Sequence, residues 1–271
     1  MKPGLQRRIQ RYGWDRAAAD YQASWSRQLE PAQRLLLDMA DLQAGERVLD
    51  VACGSGLVTL RAAEAGGKMG HVVATDISDG MLAAAHEVAA LSGTDWITFV
   101  RAGAEEPAPE HASFDASLCA LGLMYVPEPE SAVREMRRAL CPGGRSVIAV
   151  WGERRNCGWS GIFPVVDERV ATEVCPLFFD LGAGDYLSAI LEKEGYQDVT
   201  CERIQTTLEY ATDEEAISAA FAGGPVAMAY SRFDETTKVE AHAAYLETIR
   251  PYRNGSGYHI PGEFVVARGV A

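Results

Sequence analysis

No Cys-x-x-Cys pair occurs in the chain, although it holds 6 cysteines. Cys53, Cys119, Cys141, Cys157, Cys175 and Cys201 stand singly, so neither a zinc site nor a disulfide framework is expected. Reduced thiols in a cytoplasmic protein are the reading left. No apolar run reaches the roughly 20 residues that a membrane-spanning helix needs. Lys2, Arg7, Arg8 and Arg11 make the N-terminus basic, but no apolar stretch follows them, so no signal peptide is read there. Positive charge is scarce: 25 Lys+Arg stand against 38 Asp+Glu, a formal charge of -13. A field of that sign repels nucleic acid and anionic membrane surfaces. Internal repeats, low-complexity tracts and an obvious linker are also missing. No clustered acidic motif is present, and no metal is expected.

What is present is room for one large α/β domain, 271 residues with 48% hydrophobic side chains. The organising stretch is residues 47–56, R-V-L-D-V-A-C-G-S-G. Val48, Leu49, Val51 and Ala52 form an apolar run suited to a strand buried on both faces. Asp50 interrupts it. Gly54 and Gly56 make a turn with no side chain in a ligand's way, and 57–65 reads as a helix. Backbone N–H groups and a helix dipole would there face an incoming ligand.

Before this motif, Tyr12, Trp14, Tyr21 and Trp25 mark an amphipathic helix, either packed on the main domain or acting as a lid. Pro31 is expected to open a further helix carrying Leu35, Leu36, Met39 and Leu42. After the motif, strands are expected at 71–74, 97–100, 116–119 and 146–151. Helices lie between them at 78–91, behind the N-cap Ser78, and from Pro129 to Leu140. Pro142-Gly143-Gly144 is read as a break before the fifth strand. Strand–helix alternation of this kind implies a parallel, doubly wound sheet with ligands at the strands' carboxyl ends. Further on, helices are expected at 185–194, after the Thr212 capping box, and at 234–252. Strands are expected at 199–210 and 264–267.

Asp76 follows a strand, 20 positions after Gly56, where a carboxylate accepts the hydroxyls of a ribose. The alternative role is a helix-cap carboxylate. Ile77 and Met81 would flank an adenine or belong to the core. A dinucleotide and S-adenosylmethionine both fit thus far. Thr59 stands where the dinucleotide fingerprint has its third glycine, and Asp50 would repel a pyrophosphate. A carboxylate suits a ligand with ammonium and sulfonium charge.

The ordered set V-L-D-V-A-C-G-S-G, A-T-D-I-S with Met81, R-A-G-A-E at 101–105, S-F-D-A-S-L-C at 113–119 and R-R-A-L-C-P-G-G-R at 137–145 resembles the class I S-adenosylmethionine-dependent methyltransferases. Within them it looks most like the small-molecule branch of ubiquinone/menaquinone-biosynthesis type. The resemblance covers roughly residues 20–151. It implies an α/β, doubly wound Rossmann-like seven-stranded sheet of order 3-2-1-4-5-7-6, the last strand antiparallel, with helical lid and cap insertions. It also implies S-adenosyl-L-methionine as cofactor. Ala52, Gly54 and Gly56, with Asp50 nearby, would approach its methionine part. Asp76 would hold the ribose, Ile77 and Met81 the adenine, and Ala104 would donate a backbone N–H to the ring. Cys119 would line the methionine portion. Tyr21 and Trp25 would face the sulfonium by cation–π contact. Many relatives have an aspartate where Gly103 stands, and either Glu105 or a water molecule is the candidate substitute.

A single domain over 1–271 is expected, with 1–30 as an aromatic lid and 152–184 and 221–257 as substrate-cap insertions. No N/D-P-P-Y/F motif follows the fourth strand, which disfavours methylation of a base amino group or a glutamine amide. The expected activity is methyl transfer to an oxygen or carbon of a small apolar or aromatic metabolite. The alternatives are a dinucleotide-dependent oxidoreductase and a non-catalytic cofactor-binding or scaffold subunit. No catalytic base is assigned; among the five histidines only His259 is placed near enough to reach a cleft. The partners expected are a small-molecule substrate, no nucleic acid and no membrane span, with a homodimer as one option.

Overall fold

Buried, β-branched runs separated by helices dictate the sheet. The computed structural model describes residues 3–108, 110–170 and 178–271. Cys175 and part of the 152–184 insertion therefore lie outside the described residues. The strands are β1 (Arg47–Val51), β2 (His71–Asp76), β3 (Ile97–Arg101), β4 (Phe114–Ala120), β5 (Leu140–Trp151), β6 (Gln197–Tyr210), β7 (Arg253–Asn254) and β8 (Gly257–Val270). They form one sheet in the order β3-β2-β1-β4-β5-β8-β6, with β7 paired to β8. The first five are mutually parallel, and β8 runs antiparallel between β5 and β6. The expected order and the antiparallel strand are both present. Among the described residues the strand count is eight rather than seven, because the two-residue β7 closes a hairpin with β8.

The helices are α1 (Pro3–Ala40), α2 (Leu57–Gly66), α3 (Asp79–Ser92), α4 (Pro129–Ala139), α5 (Ile162–Asp167), α6 (Tyr186–Lys193), α7 (Asp213–Ile217), α8 (Ala227–Tyr230) and α9 (Glu235–Ile249). Glycine turns at Gly67, Gly93 and Gly195 follow α2, α3 and α6. Thr212 caps α7 by accepting the Glu215 N–H, as its sequence suggested.

Two expectations fail, each for a physical reason. Pro31 does not open a helix; it lies inside α1, which runs unbroken for 38 residues. An interior proline costs about 3 kcal/mol. The same helix buries Trp25, Leu29, Ala32 and Leu36 at i, i+4, i+7 and i+11, and full burial of one large apolar side chain is worth roughly 1.5–3 kcal/mol. Packing therefore wins. Nor does Pro142-Gly143-Gly144 separate α4 from β5. The segment lies within β5, as an irregularity where the pairing shifts from Phe114↔Leu140 to Ala116↔Arg145. Gly143, at φ 80°, supplies the left-handed residue of this bulge.

Apolar side chains of β1, β2, β4 and β5 bury against helices on both faces. Val48, Val72, Leu118 and Val147 pack with Leu36, Val58 and Ala62 on one side. On the other, Leu49, Ile148 and Trp151 join Trp25, Val133 and Met136. The helices thus leave the carboxyl ends of β1, β2 and β4 as the place where loops converge.

Candidate functional site

The loop after β1 bends sharply. Ala52 and Gly54 have φ of 56° and 55°, a region that non-glycine residues enter at a cost. Nothing lies within 4 Å of the position a Cβ would take on Gly54. The adjacent β4 loop presses closely on this one. A Cβ on Gly122 would stand 2.4 Å from the Ala52 Cβ, so only glycine fits there.

Two carboxylates hold the loop. The Gly54 N–H donates to Asp76 Oδ2 at 2.9 Å, and the Ser78 N–H donates to Asp76 Oδ1 at 2.8 Å. Asp76 is therefore a helix-entry carboxylate and a loop clamp together. Burial pushes its carboxyl up to about 6, against these N–H bonds, which pull it down. Asp50 is fully buried beneath the loop. Thr59, at the place of the absent third glycine, donates its hydroxyl to Asp50 Oδ2 at 2.6 Å. Asp50 Oδ1 is buried without a partner. Burial lifts this carboxyl to about 7, the Thr59 bond opposes the rise, and the charge of Asp76 adds to it.

Above the loop lies a crevice that opens to solvent. Tyr21, Ala52, Gly54, Asp76, Ile77, Met81, Gly103, Ala104 and Glu105 line it, so nine of the sequence-derived candidates converge there. Four do not line it. Asp50 sits under its floor, and Gly56 packs on Ala85 at the start of α2. Cys119 is fully buried within β4, and the following residues, Ala120, Leu121 and Gly122, reach the crevice instead. Trp25 lines a second, neighbouring space instead. His259 is exposed and hydrogen-bonded to Asn254, away from the crevice, which corrects the expectation that it could reach a cleft.

Helix α1 closes the crevice from above. Arg7 pairs with Glu105, Arg11 with Asp79, and Asp15 accepts from the Ser78 hydroxyl (2.7 Å) and the Gly80 N–H (3.0 Å). Glu105 also accepts the Glu128 N–H at 2.9 Å. Both its oxygens are thus engaged where a substitute for the missing aspartate was expected. Arg7, Gln10, Trp14 and Tyr125 line the crevice unanticipated. Only Trp14 had a signal, its spacing of seven from Tyr21.

Next to the crevice is a smaller chamber with about 290 Å³ of empty space. Trp14, Tyr21, Leu121 and Tyr125 belong to both spaces, while Trp25, Trp151, Trp159 and the Gly223-Gly224-Pro225 turn wall the chamber alone. The Trp25 and Trp159 rings stand 5.8 Å apart, and those of Trp14 and Tyr125 4.9 Å apart, all edge to face. Burial, and then the charge of Asp76, raises the Tyr21 phenol above its ordinary value, so it stays protonated at neutral pH. Among the described residues, no histidine lines either space.

Residues 48–144 match the model of a methyltransferase domain. The ubiquinone/menaquinone biosynthesis C-methyltransferase of Photorhabdus laumondii is 29% identical over 199 residues, 72% of this chain and 77% of that protein. Its counterpart in Rhizobium leguminosarum is 42% identical over 114 residues, 41% of this chain, and the demethylmenaquinone methyltransferase of Clavibacter sepedonicus is 43% identical over 105 residues. The chain spans only 43% and 41% of the lengths of these last two curated relatives. Among solved structures, a methyltransferase-like protein of Bacillus halodurans superposes with a TM-score of 0.60 at 20% identity, covering 88% of this chain and 97% of that one. Over residues 48–144 the chain is thus similar to methyltransferase domains, along 72% of its length it is similar to a ubiquinone/menaquinone-biosynthesis C-methyltransferase, and it shares the fold of the Bacillus halodurans protein.

Proposed function

We propose that the protein moves a methyl group from S-adenosylmethionine to an oxygen or carbon of a small, apolar or aromatic metabolite. The observation that carries this reading is the neighbourhood of two spaces: a crevice lined by backbone and carboxylates lies beside a chamber walled by rings, and Trp14, Tyr21, Leu121 and Tyr125 line both. The crevice has the features that the cofactor requires. Asp50 Oδ1 is a buried acceptor without a donor, and the space over Gly54 is free of any side chain. Both suit a cationic amino-acid end that approaches by backbone. In this reading Asp76 holds the ribose hydroxyls, Ile77 and Met81 contact the adenine, and Ala104 offers its backbone N–H. Tyr21 stands between crevice and chamber.

S-adenosylmethionine, when bound, supplies an electrophilic methyl group on a sulfonium. The chain's own work is then positioning and exclusion of water. Helix α1 covers the crevice, and its ion pairs fix it there. Leu121, at φ 62°, carries β4 across the boundary between the two spaces. Among the described residues no histidine lines either wall and Tyr21 is protonated, so the site suits an acceptor that ionises by its own acidity.

The 1–30 segment acts as lid in this reading, and the turn 223–225 brings part of the 221–257 insertion to the acceptor. No helix among the described residues is long and apolar enough to cross a membrane. The acidic charge supports an enzyme that avoids nucleic acid, and in this reading it works in the cytoplasm. Titration calorimetry with S-adenosylhomocysteine, S-adenosylmethionine and NAD is the test. Binding of the first two, and turnover with a panel of phenols and quinols, is expected. NAD binding alone would favour the oxidoreductase, and cofactor binding without turnover on any acceptor would favour a scaffold.

A further inference from the structure

The chamber holds two donors that have nothing to donate to. Trp25 and Trp159 are 5% and 2% exposed, and the indole Nε1–H of each is buried without a hydrogen-bond partner. The contrast with Trp96 is informative: its indole, on the other side of the sheet, donates to the Ala63 carbonyl at 2.8 Å. A buried donor is ordinarily paired, and a pair of unmatched donors whose rings stand 5.8 Å apart on one wall is a feature to be explained. An indole N–H can only donate. It therefore suits an oxygen with lone pairs, and it has nothing to offer an ammonium group or a bare hydrocarbon.

We infer that Trp25 and Trp159 form the acceptor subsite, gripping an oxygen borne on an aromatic ring of the methyl acceptor. This deepens the proposed function and rests on it. Two further observations point the same way. The chamber adjoins the crevice, with Tyr21 and Tyr125 in the lining of both. Its walls are otherwise aromatic, which favours a flat, apolar ligand. Donors aimed at such an oxygen stabilise its anionic form without taking a proton. They therefore favour the ionised acceptor at a site whose walls carry no histidine.

The test uses the full chain labelled with ¹⁵N at its tryptophan indoles, with saturating S-adenosylhomocysteine. The probes are 1-naphthol and naphthalene, which differ by one oxygen. The Nε1–H signals are assigned with Trp25→Phe and Trp159→Phe, and Trp96 serves as the internal reference. The expected result is that 1-naphthol moves the Trp25 and Trp159 signals downfield while naphthalene does not. Each Phe variant should weaken 1-naphthol binding about five- to tenfold, the scale of one hydrogen bond. Naphthalene binding should change less than about twofold. Equal shifts with both probes, or shifts confined to other tryptophans, would overturn the inference. Loss of S-adenosylhomocysteine binding in a Phe variant reports a folding defect, and the wild-type probe comparison then decides alone. If the wild-type protein itself ignores S-adenosylhomocysteine, the methyltransferase reading fails, and that failure is seen in a separate titration.

Discussion

The crevice is made of backbone turns and short side chains, whereas the chamber beside it is made of rings drawn from four separated stretches of chain. The crevice loops follow β1, β2, β3 and β4 directly, so their placement is inherited from the sheet. The chamber takes Trp25 from α1, Tyr125 from the segment after β4, Trp151 from the end of β5 and Trp159 from the segment beyond it. One region is held by topology, the other by side-chain packing. Damage to packing should therefore lower stability while sparing cofactor affinity, and damage to the carboxylates should do the reverse.

The largest effect is expected on the packing side. Phe264 on β8 is fully buried with its ring 4.2 Å from that of Trp151. Phe264→Ala should cost about 3–5 kcal/mol of unfolding free energy, as large-to-small core changes do. Urea denaturation measures it. S-adenosylhomocysteine affinity below the transition should change less than about threefold. A parallel collapse of affinity would mean that the two regions are one cooperative unit.

Asp76→Ala is the converse. It removes the acceptor of the Gly54 and Ser78 N–H groups and the proposed ribose contact. A loss of about 1.5–3 kcal/mol in S-adenosylhomocysteine affinity is expected, the range for a hydrogen bond to a charged group. Unchanged affinity in calorimetry would remove Asp76 from the site and leave it a cap.

The difference between the regions also explains what was legible in the sequence. The run from Val48 to Gly56 and the acid at Asp76 are local signals, and their spacing alone brings them to one sheet edge. Tyr125 and Trp159 carry no such signal. Each looks like an ordinary aromatic until the fold sets it near Trp14 or Trp25. Arg7 and Asp15 were hidden likewise, since their partners Glu105 and Ser78 lie far along the chain. The strand expected at 264–267 runs over Gly257–Val270 because Pro261 and Gly262 interrupt the pattern without interrupting the pairing to β6. Asp50 was legible as an anomaly, a charge in a buried strand, but the Thr59 hydroxyl that holds it was read only as an absent glycine.

A pH series separates the two regions without mutation. Asp50 and Asp76 have their carboxyls raised to about 7 and about 6, in each case chiefly by burial. Both are ionised in the complex proposed here, where they meet an ammonium group and ribose hydroxyls. Affinity for S-adenosylhomocysteine should therefore be full above pH 7 and fall as the pH drops through 7 and then 6. Each proton that must be lost contributes up to about tenfold per pH unit. For the free protein the sign is opposite. A carboxyl raised on folding favours the folded state while protonated, so this contribution fades as pH rises from the ordinary carboxylate range towards 7. Calorimetry from pH 5 to 8, in buffers of different ionisation heat, reads both affinity and proton release. A flat profile would mean that neither carboxylate meets the cofactor.

The smallest effect concerns α1, which touches both regions. Arg7 pairs with Glu105 at the mouth of the crevice, with side chains 39% and 6% exposed. An ion pair open on one side is worth only about 0.2–1 kcal/mol and is screened by salt. Arg7→Ala should weaken S-adenosylhomocysteine binding by about two- to fivefold at low ionic strength. The difference should vanish near ~1 M salt, where the Debye length falls to about 3 Å. If Arg7 acts only by helping α1 to cover the crevice, 1-naphthol should lose affinity in the same proportion, because the same helix carries Trp25 into the chamber. A loss confined to the cofactor would instead assign Arg7 a direct contact with it, and would show that the two ends of α1 move independently.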